Sequence, residues 1–69
     1  LDFDAERARL KKEIAACEAA AGKIRGTLNN PNFVERAPEA VVAENNRRLE
    51  EEQSRLDGLK AALGRLDTE

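Results

Sequence analysis

Histidine, tryptophan, tyrosine and methionine are absent from this sequence, and cysteine occurs once. One chain therefore cannot build a zinc site or a disulfide framework. The lone Cys17 also has no histidine to serve as its base, so a small buried hydrophobe is the expected role rather than a nucleophile. Apolar runs extend over only a few residues, many of them alanine, which excludes a transmembrane span and a secretory signal peptide. A soluble, cytoplasmic protein is expected, with no membrane partner. Aromatic residues make up 3% and charged residues 38%, which disfavours a conventional globular core and favours an elongated helical module. Sixty-nine residues support one compact unit at most. The first residue is Leu1 rather than methionine, which suggests a piece of a longer protein. This piece is expected not to be an enzyme by itself.

What the sequence does contain is two Ala-, Leu-, Glu-, Lys- and Arg-rich flanks around Pro31 and Pro38. The pattern predicts helix over about 4–28, a connector over 29–37, and helix over about 38–66. Asp2 or Asp4 can cap the first helix, and Glu6 suits the positive end of its dipole. Asn29 and Asn30 tolerate the left-handed conformation that ends many helices, and Pro31 cannot continue one. Pro38 fits a first helical turn, where its missing N–H is no loss. Ala37 makes a poor side-chain cap, so other connector groups are expected to serve the exposed amides.

Both flanks carry a heptad stripe. Phe3, Arg7, Leu10, Ile14, Cys17, Ala21, Ile24 and Leu28 alternate steps of four and three. Val42, Asn45, Leu49, Glu52, Leu56, Leu59, Leu63 and Leu66 alternate steps of three and four. These are the a and d positions of a coiled-coil seam. A short connector makes such stripes antiparallel neighbours, so the expected fold is all-α, an antiparallel two-helix coiled-coil hairpin spanning residues 1–69. Each arm would be about 40 Å long. Two registers place a opposite d. One pairs Cys17 with Leu49 and Leu10 with Leu56; the other pairs Cys17 with Leu56 and Leu10 with Leu63. Both give four good apolar layers, and a connector centred near Phe33 favours the first. Arg7, Asn45 and Glu52 are polar seam positions expected to set alignment.

Charge is uneven along the rod. Lys23, Arg25, Arg36, Arg47 and Arg48 face only Glu35, Glu39 and Glu44 between residues 21 and 48, whereas residues 49–69 are predominantly acidic. The turn half is thus the positive end, where Arg and Lys can form charge-assisted contacts with phosphate. The plainer interpretation is a solvated helix surface with ordinary ion pairs such as Glu44 with Arg48. Gly22 and Gly26 lie beside these cations and invite either a close backbone approach or no role at all. Phe33 and Val34 can stack on bases or plug the turn end of the core.

The stretch Leu28-Asn29-Asn30-Pro31-Asn32-Phe33-Val34-Glu35-Arg36-Ala37-Pro38-Glu39-Ala40-Val41-Val42 resembles the C-terminal coiled-coil arm of bacterial-type valyl-tRNA synthetases. Their pattern is roughly Leu-x-Asn-x-x-Phe-x-x-Lys-Ala-Pro-x-x-Val-Val before a Glu-rich helix. The resemblance covers essentially the whole chain, although Thr27 stands where lysine is frequent and Asn45-Asn46 where a charged pair is usual. It implies a tRNA-binding arm that touches the outer corner of tRNA(Val), where the D and T loops meet. The remainder of the parent synthetase would then be the second partner. That parent would be an ATP-dependent valine–tRNA ligase using Mg2+, with a separate domain hydrolysing mischarged threonyl-tRNA. No cofactor is implied for the piece itself, which lacks the synthetase nucleotide-binding signatures. Joined with the charge pattern, the resemblance makes Lys23, Arg25, Arg36, Arg47 and Arg48 the candidate RNA contacts.

Two rivals stand beside this reading. A hairpin with apolar residues outside its seam can self-associate into a four-helix bundle, and Ala15, Ala16, Ala19, Ala20, Ala40 and Val41 could supply that surface. The C-terminal hairpin of a ribosome-associated ATPase has similar heptads, but the Phe-x-x-Arg-Ala-Pro-x-x-Val-Val segment argues against it.

Overall fold

The computed structural model describes residues 2–68. Asp2 starts the first helix: its carboxylate accepts from the Ala5 amide at 3.1 Å, and α1 runs over Phe3–Leu28. Such a cap stabilises a helix by about 1 kcal/mol, and Asp4 and Glu6 in the first turn complement the positive end of the dipole. At the far end the Asn29 amide donates to the Arg25 carbonyl at 2.9 Å and the Asn30 amide to the Thr27 carbonyl at 3.2 Å.

The left-handed ending expected at Asn29 and Asn30 does not occur. Asn29 stays right-handed at φ −82°, ψ −7°, and Asn30 is extended at φ −82°, ψ 111°. Asn30 instead caps a helix inside the connector, accepting from the Asn32 amide at 3.0 Å, with Pro31 in the first turn. That helix, α2, spans Pro31–Arg36. The placement is physically sound, because proline at N1 needs no amide hydrogen and asparagine is a strong N-cap.

Pro38 also differs from expectation. It stays outside the last helix, extended at φ −58° and ψ 149°, and α3 spans Glu39–Asp67. No side chain caps α3; the Pro38 carbonyl accepts from the Val41 and Val42 amides at 2.9 and 3.2 Å. All elements among the described residues are helical, so the fold is all-α.

The two long helices, α1 and α3, lie against each other in a rod with principal extents of 51 × 14 × 14 Å. Ile14, Cys17 and Leu56 form the buried cluster, with Leu59 and Leu63 packed against it. Leu10 and Ala21 extend the buried stripe on α1. Arg7 Nε lies 2.6 Å from Asp67 Oδ1, so the start of α1 meets the end of α3.

These contacts overturn the alignment that the connector's midpoint favoured. In that register Arg7 would face Leu59, eight residues or about 12 Å along the helix from Asp67, and Cys17 would face Leu49. The observed cluster joins Cys17 to Leu56. Folding residues 31–36 into α2 explains the shift: it lengthens the α1 side of the turn and moves the point of reversal from Phe33 to between Arg36 and Ala37. Phe3, a seam residue by spacing, is consequently 45% exposed.

Candidate nucleic-acid interface

The five candidate cations fall into two groups. Lys23 and Arg25 are exposed on α1, and Arg36 is exposed at the last residue of α2. Among the described residues, none of these three has a carboxylate within 4.0 Å. Arg47 and Arg48, on α3, are paired. Arg47 donates to both Glu44 and Glu51, and Arg48 Nε lies 3.3 Å from Glu44 Oε1.

The five are not brought to one face. Lys23 and Arg25 are two residues apart on a helix, which sets them about 200° apart around its axis. Arg47 and Arg48 do converge, on the carboxylate of Glu44. The Arg47 hydrogen bond is the main reason the Glu44 carboxyl titrates below the usual carboxylate range, with Arg48 adding to it. The pairing of Glu44 with Arg48 follows from i,i+4 spacing; the sharing of Glu44 between two arginines went unnoticed in the sequence, although the i,i+3 spacing to Arg47 is a signal for it.

The surface around these cations is open. A Cβ built on Gly22 or Gly26 would meet nothing within 4 Å, so neither glycine serves a close approach inside the chain. Val34 and Val41 are 43% and 41% exposed, and Phe33 is half-buried. Ala40, Ala15, Ala16 and Ala19 are exposed, while Ala20 is half-buried. Asn45 donates from Nδ2 to the Val41 carbonyl of its own helix at 2.9 Å.

Outside the turn half, an open depression of about 220 Å³ is lined by Glu13, Ala16, Cys17, Ala20, Glu52 and Arg55. Burial, followed by the neighbouring Glu52, pushes the Cys17 thiol above its ordinary range. A protonated, 3%-exposed thiol is a packing group rather than a nucleophile. Among the described residues no group of three or more Cys, Asp or Glu side chains is placed to hold a metal ion. Nor is any described helix long and apolar enough to cross a membrane.

The family described as the valyl tRNA synthetase tRNA binding arm matches residues 2–67. The chain belongs to that family. Among similar proteins, the valine–tRNA ligase of Gluconobacter oxydans is 54% identical over 66 residues, covering 96% of this chain and 7% of that ligase. The ligase of Zymomonas mobilis is 52% identical over 66 residues, covering 96% of this chain and 8% of that protein. The ligase of Xanthomonas campestris is 44% identical, again over 96% of this chain and 7% of its own length. The chain thus spans less than a tenth of the length of these relatives. No solved structure matches it.

Proposed function

We propose that this chain is the tRNA-binding arm of a longer, cytoplasmic valine–tRNA ligase. In this reading α1 and α3 form an antiparallel coiled-coil hairpin that stands on the parent and reaches the outer corner of tRNA(Val), where the D and T loops meet. The arm holds the tRNA while the parent's catalytic domain, with ATP and Mg2+, attaches valine. It supplies no reacting group. Its contribution is positioning, because contacts to the RNA backbone fix orientation without reading sequence.

One observation supports the reading beyond family membership. The turn-half cations without a carboxylate partner among the described residues, Lys23, Arg25 and Arg36, lie away from the buried Ile14–Cys17–Leu56 cluster. The molecule can thus bind a polyanion there without disturbing its core. A rod 51 Å long also suits a ligand feature distant from the chemistry.

The test is tRNA(Val) binding across a salt series by the full-length ligase, an arm-deleted form, and a form with Lys23, Arg25 and Arg36 changed to glutamate. Reversing the three charges should weaken binding and flatten the dependence of log affinity on log salt by about one for each lost phosphate contact. Unchanged affinity and slope in both altered forms would show that the arm does not meet RNA.

A further inference from the structure

Glu44 stands one helical turn from two adjacent arginines and serves both. Its Oε2 accepts from Arg47 Nε at 3.0 Å, while its Oε1 accepts from Arg47 Nη2 and, at 3.3 Å, from Arg48 Nε. Glu51, a turn further on, takes Arg47 Nη1. The guanidinium fork that grips a carboxylate is the same fork that grips a phosphate. Exposed pairs of this kind are individually weak. Freeing Arg47 here, however, requires its contacts to Glu44 and Glu51 to be given up together, whereas Arg48 is held through Nε alone. Lys23, Arg25 and Arg36 carry no such obligation among the described residues.

We infer that Glu44 masks a two-arginine phosphate seat on α3, withholding Arg47 and Arg48 from RNA and leaving backbone contact to Lys23, Arg25 and Arg36. This rests on the tRNA-binding reading above and assigns unequal roles to the cations of that site. The arrangement has a use. Backbone contacts carry no sequence information, so each additional cation tightens binding of every tRNA alike. A carboxylate that competes for the two arginines therefore lowers the arm's grip on every tRNA by the same factor and favours release.

The experiment uses the full-length ligase that carries this arm and measures tRNA(Val) binding across a salt series. Four forms make a cycle: unaltered, Glu44→Gln, Arg47→Gln with Arg48→Gln, and all three changes together. Glu50→Gln controls for the loss of one negative charge from α3, since Glu50 is exposed and has no ion pair among the described residues. Glu44→Gln should tighten binding about fivefold at low salt and steepen the salt slope by about one. Glu50→Gln should change affinity by less than about twofold, the modest effect of one exposed charge that pairs with neither arginine. The paired arginine changes alone should do equally little, yet erase the gain when combined with Glu44→Gln. Equal effects of Glu44→Gln and Glu50→Gln overturn the masking, as does an arginine effect of the same size in both backgrounds. An arm-deleted ligase separates the two ideas. If it binds tRNA as tightly as the intact enzyme, the tRNA reading itself is wrong; if it binds poorly while Glu44→Gln matches Glu50→Gln, only the mask is.

Discussion

From Leu10 to Ala21, every seam side chain of α1 is buried, and Leu56 meets that stripe from α3. From Ile24 to Leu49, around the turn, the same heptad positions are only half-buried, and Val34 and Val41 are exposed. Hydrophobic spacing is equally regular in both halves, so spacing alone does not make a core. What differs is the company each seam residue keeps. Away from the turn Ile14 and Cys17 meet Leu56, with Leu59 and Leu63 packed against them. In the turn half Asn45 interrupts the stripe and satisfies its amide on its own helix. One half supplies cohesion; the other presents side chains.

Leucine truncation tests this contrast most severely. Leu56→Ala should lower stability by about 2–5 kcal/mol, the usual cost of emptying a buried leucine site, whereas Leu49→Ala should cost distinctly less. Thermal or urea unfolding of the 69-residue chain, followed by helical circular dichroism, reads both. Equal losses would erase the distinction between the halves.

A smaller effect is expected at the open end, where Arg7 bridges Asp4 and Asp67 at 2.9 and 2.6 Å. The Asp67 side chain is about half exposed and that of Arg7 30% exposed, so Asp67→Asn should cost about 1 kcal/mol or less. The difference between the two proteins should shrink in concentrated salt. A salt-independent difference would mean that Asp67 acts through packing instead.

Acidification probes the weakest links. Glu6 and Glu44 both titrate below their ordinary 4.5, chiefly through hydrogen bonds from Arg9 and Arg47. Their folded-state pKa values are depressed, so their contribution is fully present above the unfolded value. It is lost as pH falls through the folded one. Helicity should therefore hold at pH 5 and decline slightly below about 4.5, and replacing both residues with glutamine should remove part of that decline. An identical decline in the substituted chain would locate the acid sensitivity elsewhere.

Much of this architecture could be read from residue order. Heptad spacing placed the long helices because a and d residues must face a common partner. A cap at Asp2 or Asp4 was visible, since a carboxylate before an apolar-periodic run meets free amides, and Asp2 takes the role. The register was not visible: both alignments offered four apolar layers, and the choice depends on the Arg7–Asp67 contact and on how many residues the turn consumes. The turn misled for a specific reason. Asn29-Asn30-Pro31 is equally good chemistry for ending one helix and for starting another, and the second use prevailed. Charge clustering near the turn was legible, whereas the division into free and paired cations required knowing which rotamers meet across one helical turn.

A reversing chain is cheapest to close beside its turn, where the intervening loop is shortest. Here the tightest contacts, around Cys17 and Leu56, enclose a much longer stretch, and the short-loop layers hold the least. The tip can therefore breathe while the middle of the rod stays zipped. Backbone amides near Ile24 and Leu49 should trade their hydrogens with solvent sooner than those near Ile14 and Leu56. A surface that can yield by a fraction of an ångström conforms to a curved polyanion more readily than a rigid one.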